Sequence, residues 1–254
     1  MPGFSSQAIL LRRFDCGDYD LVVSFLTLLK GKLSVIAKNA KKSRKRFSGL
    51  LEPFTALDLV CRSVRNGGIP VLQEASMQNP FAGLRGDVIR TAYASYWAEL
   101  VHGWLEEFKP QPEIFHLLYH GLDALDRGGV SPDVMSIIFQ MRFVTLTGFA
   151  PSLKACGLCG RSIDTMPVGA VIFDLAKGGI VCKRCSPGES PYRLALSKGT
   201  VKQLAWIQEY DLTAAQRLRF TGASIHEGLR AMEAFVPYHL GRMPRSLKFL
   251  NDLR

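Results

Sequence analysis

Residues 21–37, Leu-Val-Val-Ser-Phe-Leu-Thr-Leu-Leu-Lys-Gly-Lys-Leu-Ser-Val-Ile-Ala, hold two apolar, β-branched runs around Lys30-Gly31. Two strand-like runs joined by a tight glycine-containing connection read as a β-hairpin. Upstream, Ser6–Arg13 is a further apolar run, set off by the turn residues Asp15, Gly17 and Asp18. Downstream, Phe54–Cys61 alternates roughly with period two, and Asn66-Gly67-Gly68 marks a turn before Ile69–Ala75. Five short strands with one long loop over residues 1–80 suit a small closed barrel of the OB type, with a β-sandwich as the plainer alternative.

From Arg85 the period changes to that of helices. Val88–Phe108 carries Tyr93, Tyr96, Trp97, Leu100 and Trp104 at helical spacing, a pattern of core aromatics, and ends at Pro110. Glu113–Leu125 is a second amphipathic helix, stopped by Gly128-Gly129. Ser131-Pro132 starts a third, with serine as N-cap and proline in the first turn, and Gly148 closes it after about Thr147. Residues 151–190 interrupt the pattern with glycine and cysteine. Helices resume at about Lys198–Tyr210 and Ala214–Phe235, and a tail follows that carries Pro237, Pro244, Arg242, Arg245, Lys248 and Arg254. The expected class is therefore a multidomain α+β protein. An N-terminal OB-fold β-barrel (1–80) precedes an α-helical domain (81–150), a zinc-ribbon-like insert (151–190) and C-terminal helices packing with the helical domain (191–254).

Inside the insert, Cys156-Gly-Leu-Cys159-Gly160 and Cys182-Lys-Arg-Cys185 form two Cys-x-x-Cys pairs. A short hairpin, Ala170–Leu175 and Ile180–Val181 around Lys177-Gly178-Gly179, can deliver the second pair beside the first. Two residues between cysteines let a turn aim both sulfurs at one point, and four thiolates satisfy tetrahedral Zn2+. Four protein ligands leave no open position, so one structural zinc per chain is expected, without catalysis. Disulfide or redox chemistry is the alternative, disfavoured by the reducing compartment and by two pairs in glycine-rich turns. Cys16 and Cys61 lack a partner motif and read as buried apolar filler.

The formal charge is +10, distributed as +6 over residues 1–80, −3 over 81–150, +2 over 151–190 and +5 over 191–254. Basic ends favour a polyanionic partner. The densest cluster is Lys38, Lys41, Lys42, Arg44, Lys45 and Arg46, six cations within nine residues. On a barrel loop they are candidate contacts to the phosphates of single- or double-stranded DNA, a merely solvated loop being the bland alternative. Phe14, Phe25, Phe47 and Phe54 include possible base-stacking residues, most of them core. No catalytic order of Ser, His and Asp and no phosphate-binding glycine loop is present. His116 and His120 share a helix face without the neighbouring Glu of zinc proteases. Mean hydropathy is near zero, no secretory signal is visible and no apolar run reaches the roughly 18 residues of a membrane span. A cytoplasmic, nucleoid-associated, non-enzymatic DNA-binding protein is expected, with no membrane contact. A structural adaptor that docks a protein partner, and a thiol-dependent redox enzyme, are the competing readings.

Gly31-Lys-Leu-Ser-Val-Ile-Ala-Lys38, the basic run, and Phe47-Ser-Gly-Leu-Leu-Glu-Pro53-Phe54 together resemble the N-terminal signature of the RecO family of bacterial recombination mediators. Gly148-Phe-Ala-Pro151 leading to Cys156-x-x-Cys159, and Gly178-Gly179-x-x-Cys182-x-x-Cys185, are similar to that family's centre. The chain departs from it at Asn39, where glycine is common, and at Gly17-Asp-Tyr-Asp20. Asn tolerates left-handed backbone better than other residues with a side chain. The resemblance implies an OB fold, zinc on Cys156, Cys159, Cys182 and Cys185, and phosphate contacts from the six loop cations. It further implies DNA repair and recombination, strand annealing, and work with RecR and single-stranded-DNA-binding protein to load RecA.

Overall fold

The computed structural model describes residues 3–43, 45–64, 67–167 and 169–254. Its contacts divide into one unit of residues 1–127 with 244–254 and another of residues 128–243. The stretch expected as one helical domain, 81–150, is thus shared between the two.

The first unit begins with five strands: β1 (Gly3–Cys16), β2 (Asp20–Thr27), β3 (Gly31–Ala37), β4 (Ala56–Arg62) and β5 (Val71–Asn79). The expected hairpin is present, its antiparallel register running from Leu21↔Ala37 to Thr27↔Gly31. Gly31 sits at φ 70, and a Cβ there would lie 2.0 Å from the Lys109 carbonyl oxygen, so the turn requires glycine twice over. β1 is long enough to serve two ladders. It pairs with β2 through residues 8–16 and with β4 through residues 3–9, with a register shift between Leu10 and Arg12. β4 pairs with β5, and β5 meets β3 in parallel at Ile36↔Val71, where the Ile36 amide donates to the Pro70 carbonyl at 2.8 Å. Alternate residues of the hairpin, Val23, Phe25, Leu33 and Val35, fill a core shared with Leu10, Leu57 and Leu72. Asn66, part of an expected turn, lies outside the described residues.

Two helices follow in this unit. Helix α1 (Val88–Trp104) is started by Asp87, whose carboxylate accepts the amides of Ile89 and Arg90. It buries Tyr93, Tyr96 and Trp97 completely, as the spacing anticipated. It stops short of Phe108 because that residue turns to φ 58 and gives its amide to the Lys32 carbonyl at 2.8 Å. Helix α2 (Pro112–Arg127) buries Ile114, Leu118, Leu122 and Leu125.

The second unit opens with α3 (Pro132–Leu146), buried on most sides, with Pro132 in its first turn and Gly148 at φ 84 just beyond its end. A small sheet of order β7-β6-β8 follows, from β6 (Ala170–Asp174), β7 (Gly179–Val181) and β8 (Arg193–Ser197). Three helices complete the unit: α4 (Lys198–Glu209), α5 (Leu212–Gln216) and α6 (Gly222–Leu240). The continuous helix expected over 214–235 is broken, because Thr221 and Ser224 cap a new helix reciprocally, each side chain bonding the other's backbone amide. Helix α6 also runs through Pro237, placed in the tail by sequence.

The expected basic tail is helical as well. Helix α7 (Arg245–Asp252) belongs to the first unit, packs on α1 and buries Leu247 and Leu250. The Glu99 carboxylate on α1 accepts the Arg245 amide at 3.1 Å and the Ser246 amide at 2.9 Å, neutralising the orphan donors of the new helix. Arg254 beyond its end lies over the Tyr93 ring and reaches its hydroxyl. Among the described residues, no helix is long and apolar enough to cross a membrane.

Candidate functional site

The basic run lies between β3 and β4 and folds back onto the turn between β1 and β2. Asp20, the first residue of β2, organises it: one carboxylate oxygen accepts the Asn39 amide at 2.7 Å and the other takes the Lys38 ammonium at 2.9 Å. Asn39 is left-handed at φ 54, the conformation its side chain tolerates. The Asn39 amide, and then Lys38, hold the Asp20 carboxyl below its usual range, and the same carboxylate raises Lys38. Lys41 ion-pairs with Asp15 at 3.0 Å and donates to the Gly17 carbonyl, while its own amide binds the Tyr19 carbonyl at 3.0 Å. The Lys42 ammonium stands 3.4 Å above the centroid of the Tyr19 ring. Arg46 donates to the Lys38 carbonyl at 3.0 Å and lies over Phe47. Lys45 is exposed, and Arg44 lies outside the described residues.

The five described cations, Lys38, Lys41, Lys42, Lys45 and Arg46, therefore lie together between β3 and β4, and two of them are engaged by carboxylates at the neighbouring turn. The sequence pattern assigns Asp15, Gly17 and Asp18 only to a turn. The signal for a further role was three acidic residues, Asp15, Asp18 and Asp20, one hairpin away from a cationic run. Of the aromatic candidates, Phe25 and Phe47 are core, and Phe54 is partly buried at φ 71. Phe14 is exposed beneath the Arg12 guanidinium, 4.0 Å from its ring centroid. Tyr19, not singled out by sequence, is exposed too.

In the second unit the four cysteines converge. The first pair occupies a tight knuckle: the Cys156 amide binds the Arg161 carbonyl at 2.8 Å, and Gly160, at φ 70, returns its amide to the Cys156 carbonyl at 2.9 Å. The second pair closes through Cys185 N–H to the Cys182 carbonyl at 2.9 Å. β7 joins the two, since Gly157 donates to Ile180, and Ser152 exchanges bonds with Gly178 and Ile180. A Cβ on Gly179 would meet the Ser152 carbonyl oxygen at 2.3 Å, so a glycine is needed where the strands cross.

The four sulfurs all lie within 4.8 Å of one another, with Cys159 and Cys182 3.7 Å apart. A tetrahedron with metal–sulfur distances of about 2.3 Å spaces its sulfurs about 3.8 Å apart. Backbone amides point at these sulfurs, the Cys182 N–H reaching Cys156 Sγ at 3.4 Å. Burial opposes ionisation of Cys156, but the amides of Cys182, Cys159 and Leu158 outweigh it and bring the thiol down to about 6. The Cys185 amide lowers Cys182 as well, whereas hydrogen bonds to Cys182 and Cys159 push Cys185 up to about 12. Such a cluster readily ionises in part and needs a cation to ionise fully. Soft donors in this number and spacing fit a d10 metal ion. Among the described residues, no other group of His, Cys, Asp and Glu converges in this way, so the His116 and His120 pair has no third ligand at hand. Cys61 is buried, with its thiol pushed up to about 12, as filler should be, but Cys16 is exposed at the end of β1.

Comparison with known families agrees over the whole length. Residues 1–81 match the family model described as recombination protein O N terminal, and residues 85–248 match that of recombination protein O C terminal. A DNA repair protein RecO from Desulfosudis oleivorans is 48% identical, covering 100% of this chain and 99% of the relative. That of Desulfatibacillum aliphaticivorans is 43% identical over 100% and 98%. One from Anaeromyxobacter sp. (strain K) is 37% identical over 96% and 94%.

Proposed function

Because the chain belongs to the RecO family of DNA repair and recombination proteins, we propose that it is a non-enzymatic DNA-binding mediator that anneals complementary strands. In this reading it works in the cytoplasm at the nucleoid. It helps load the recombinase RecA onto single strands coated by single-stranded-DNA-binding protein, with RecR as its partner, as the family resemblance implies. The observation that carries the DNA-binding part is the cluster of described cations between Lys38 and Arg46, on the β3–β4 connection of a five-stranded sheet whose ladder order is β1-β2-β3-β5-β4 with β4 again beside β1. That arrangement supports the OB-barrel reading, and OB barrels take nucleic acid across one face with loops as rims. Lys38, Lys41, Lys42, Arg44, Lys45 and Arg46 would meet phosphates, releasing counterions as they do.

Zinc is the ion this reading places on Cys156, Cys159, Cys182 and Cys185. It would supply charge neutralisation and a crosslink, four thiolates leaving no position for substrate. The chain's own part is to deliver the sulfurs through two knuckles and a crossing at Gly179.

Charge reversal of Lys41, Lys42, Arg44 and Lys45 should abolish annealing, and should weaken the gel-shift of single-stranded and duplex DNA and flatten its dependence on salt. Unchanged affinity and annealing would remove the proposal. One zinc per purified chain, with the four thiols unreactive until the metal is chelated, is expected for the metal; a metal-free chain with reactive thiols refutes it.

A further inference from the structure

The cations of the metal segment differ from those of the loop. Arg161 follows the first knuckle, Lys183 and Arg184 lie inside the second, and all three border one slot of about 130 Å³ that Met166, Pro167, Val171 and Cys182 also line. Lys183 and Arg184 are exposed, and among the described residues no acidic side chain lines the slot. No ion pair engages the three cations among the described residues. Asp164, the nearest acidic residue in sequence to Arg161, is taken by Lys202 at 2.6 Å. The larger groove beside the stacked rings of Trp206 and Tyr210 offers no such surplus, because its lysines, Lys154 and Lys202, are both paired with carboxylates, Glu209 and Asp164.

A cavity of about 150 Å³ accepts benzene, so this slot has room for about one six-membered ring. Apolar side chains for a flat ring, beside three cations with no carboxylate partner, match one unpaired nucleobase with its flanking phosphates. We propose that this slot is a second single-strand site, so that the chain holds two strands at once, one on the loop and one on the metal segment. The inference rests on the DNA-binding reading above and deepens it, since pairing two complementary strands is aided by a protein that carries both.

Native mass spectrometry with a short oligothymidylate, which neither pairs with itself nor stacks strongly, counts strands per chain directly. The full chain should carry two, and K183Q/R184Q and K42Q/K45Q one each. In K183Q/R184Q the weaker-retained strand should lose at least about tenfold in affinity, and its salt slope should fall by about 1.4, at about 0.7 per lost phosphate contact. Ala170→Trp, which fills the slot and keeps the cations, should also leave one strand, and circular dichroism of each variant verifies folding. Two strands retained in both K183Q/R184Q and Ala170→Trp would overturn the inference, as would one strand on the full chain that vanishes in K42Q/K45Q; in the second case DNA binding itself stands. A full chain that carries no strand would overturn the DNA-binding reading instead. Loss of an oligoaspartate peptide in K183Q/R184Q, with both strands kept, would assign the slot to an acidic protein and overturn it too.

Discussion

Neutralising Lys42 and Lys45 together tests whether the basic loop grips phosphates. These two are the informative pair, because Lys38 and Lys41 already have carboxylate partners at 2.9 and 3.0 Å, whereas Lys42 lies on an aromatic face and Lys45 is exposed. Each phosphate contact to a single strand contributes about 0.7 to the slope of log K against log salt, so removing two lowers the slope by about 1.4. Over a fourfold rise in salt, the native chain should then weaken about sevenfold more than K42Q/K45Q does. The assay is fluorescence anisotropy of a labelled oligonucleotide at four or more salt concentrations. Equal slopes would refute phosphate contact by these lysines, whatever happened to the affinity at one salt. Asp15→Asn acts in the other direction: it releases Lys41 from an exposed pair of the weak, screened kind and should strengthen binding and steepen the slope.

Three further outcomes are expected. Gly31→Ala should cost about 2 kcal/mol or more, from the left-handed φ and the displaced Lys109 carbonyl, seen as a lower urea midpoint. Metal content should fall on acidification, as protons compete with the ion for the four thiolates, measured with a colorimetric chelator. The Cys156 thiol is held below its ordinary value, so its thiolate stabilises the folded unit fully above that value and progressively less on acidification; Cys185, held high, has the opposite sign and destabilises the metal-free unit at alkaline pH. Metal content that did not respond to acid at all would contradict the assignment. Glu99→Ala should cost about 1–2 kcal/mol, as loss of a helix cap does, and speed hydrogen exchange in Arg245–Asp252.

The hairpin, the buried aromatics of α1 and the convergence of the cysteines were legible because each follows from spacing. Period two, period 3.6 and two residues between thiols are local patterns. The break before α6 was not, since Thr221 and Ser224 are ordinary polar residues until their amides and hydroxyls are seen to exchange bonds. Helix α7 escaped because its eight residues carry two cations and an acid, while the two leucines and the Glu99 cap that hold it act across the fold. β8 was missed for want of length, its five residues being recruited by β6. The partners of the basic loop were hidden for a similar reason. Nothing in Asp15 or Asp20 indicates which lysine each will meet until the β1–β2 turn is placed beside Asn39.

Helix α7 belongs with the strands and α1, although residues 128–243 intervene in the chain. On the ribosome, therefore, the groove on α1 that receives Leu247 and Leu250 stays open while the whole second unit is being synthesised. A nascent chain halted before Pro244 would display that apolar strip, a surface suited to chaperone capture. Completion of the first unit thus waits on turns that emerge only after the whole of the second.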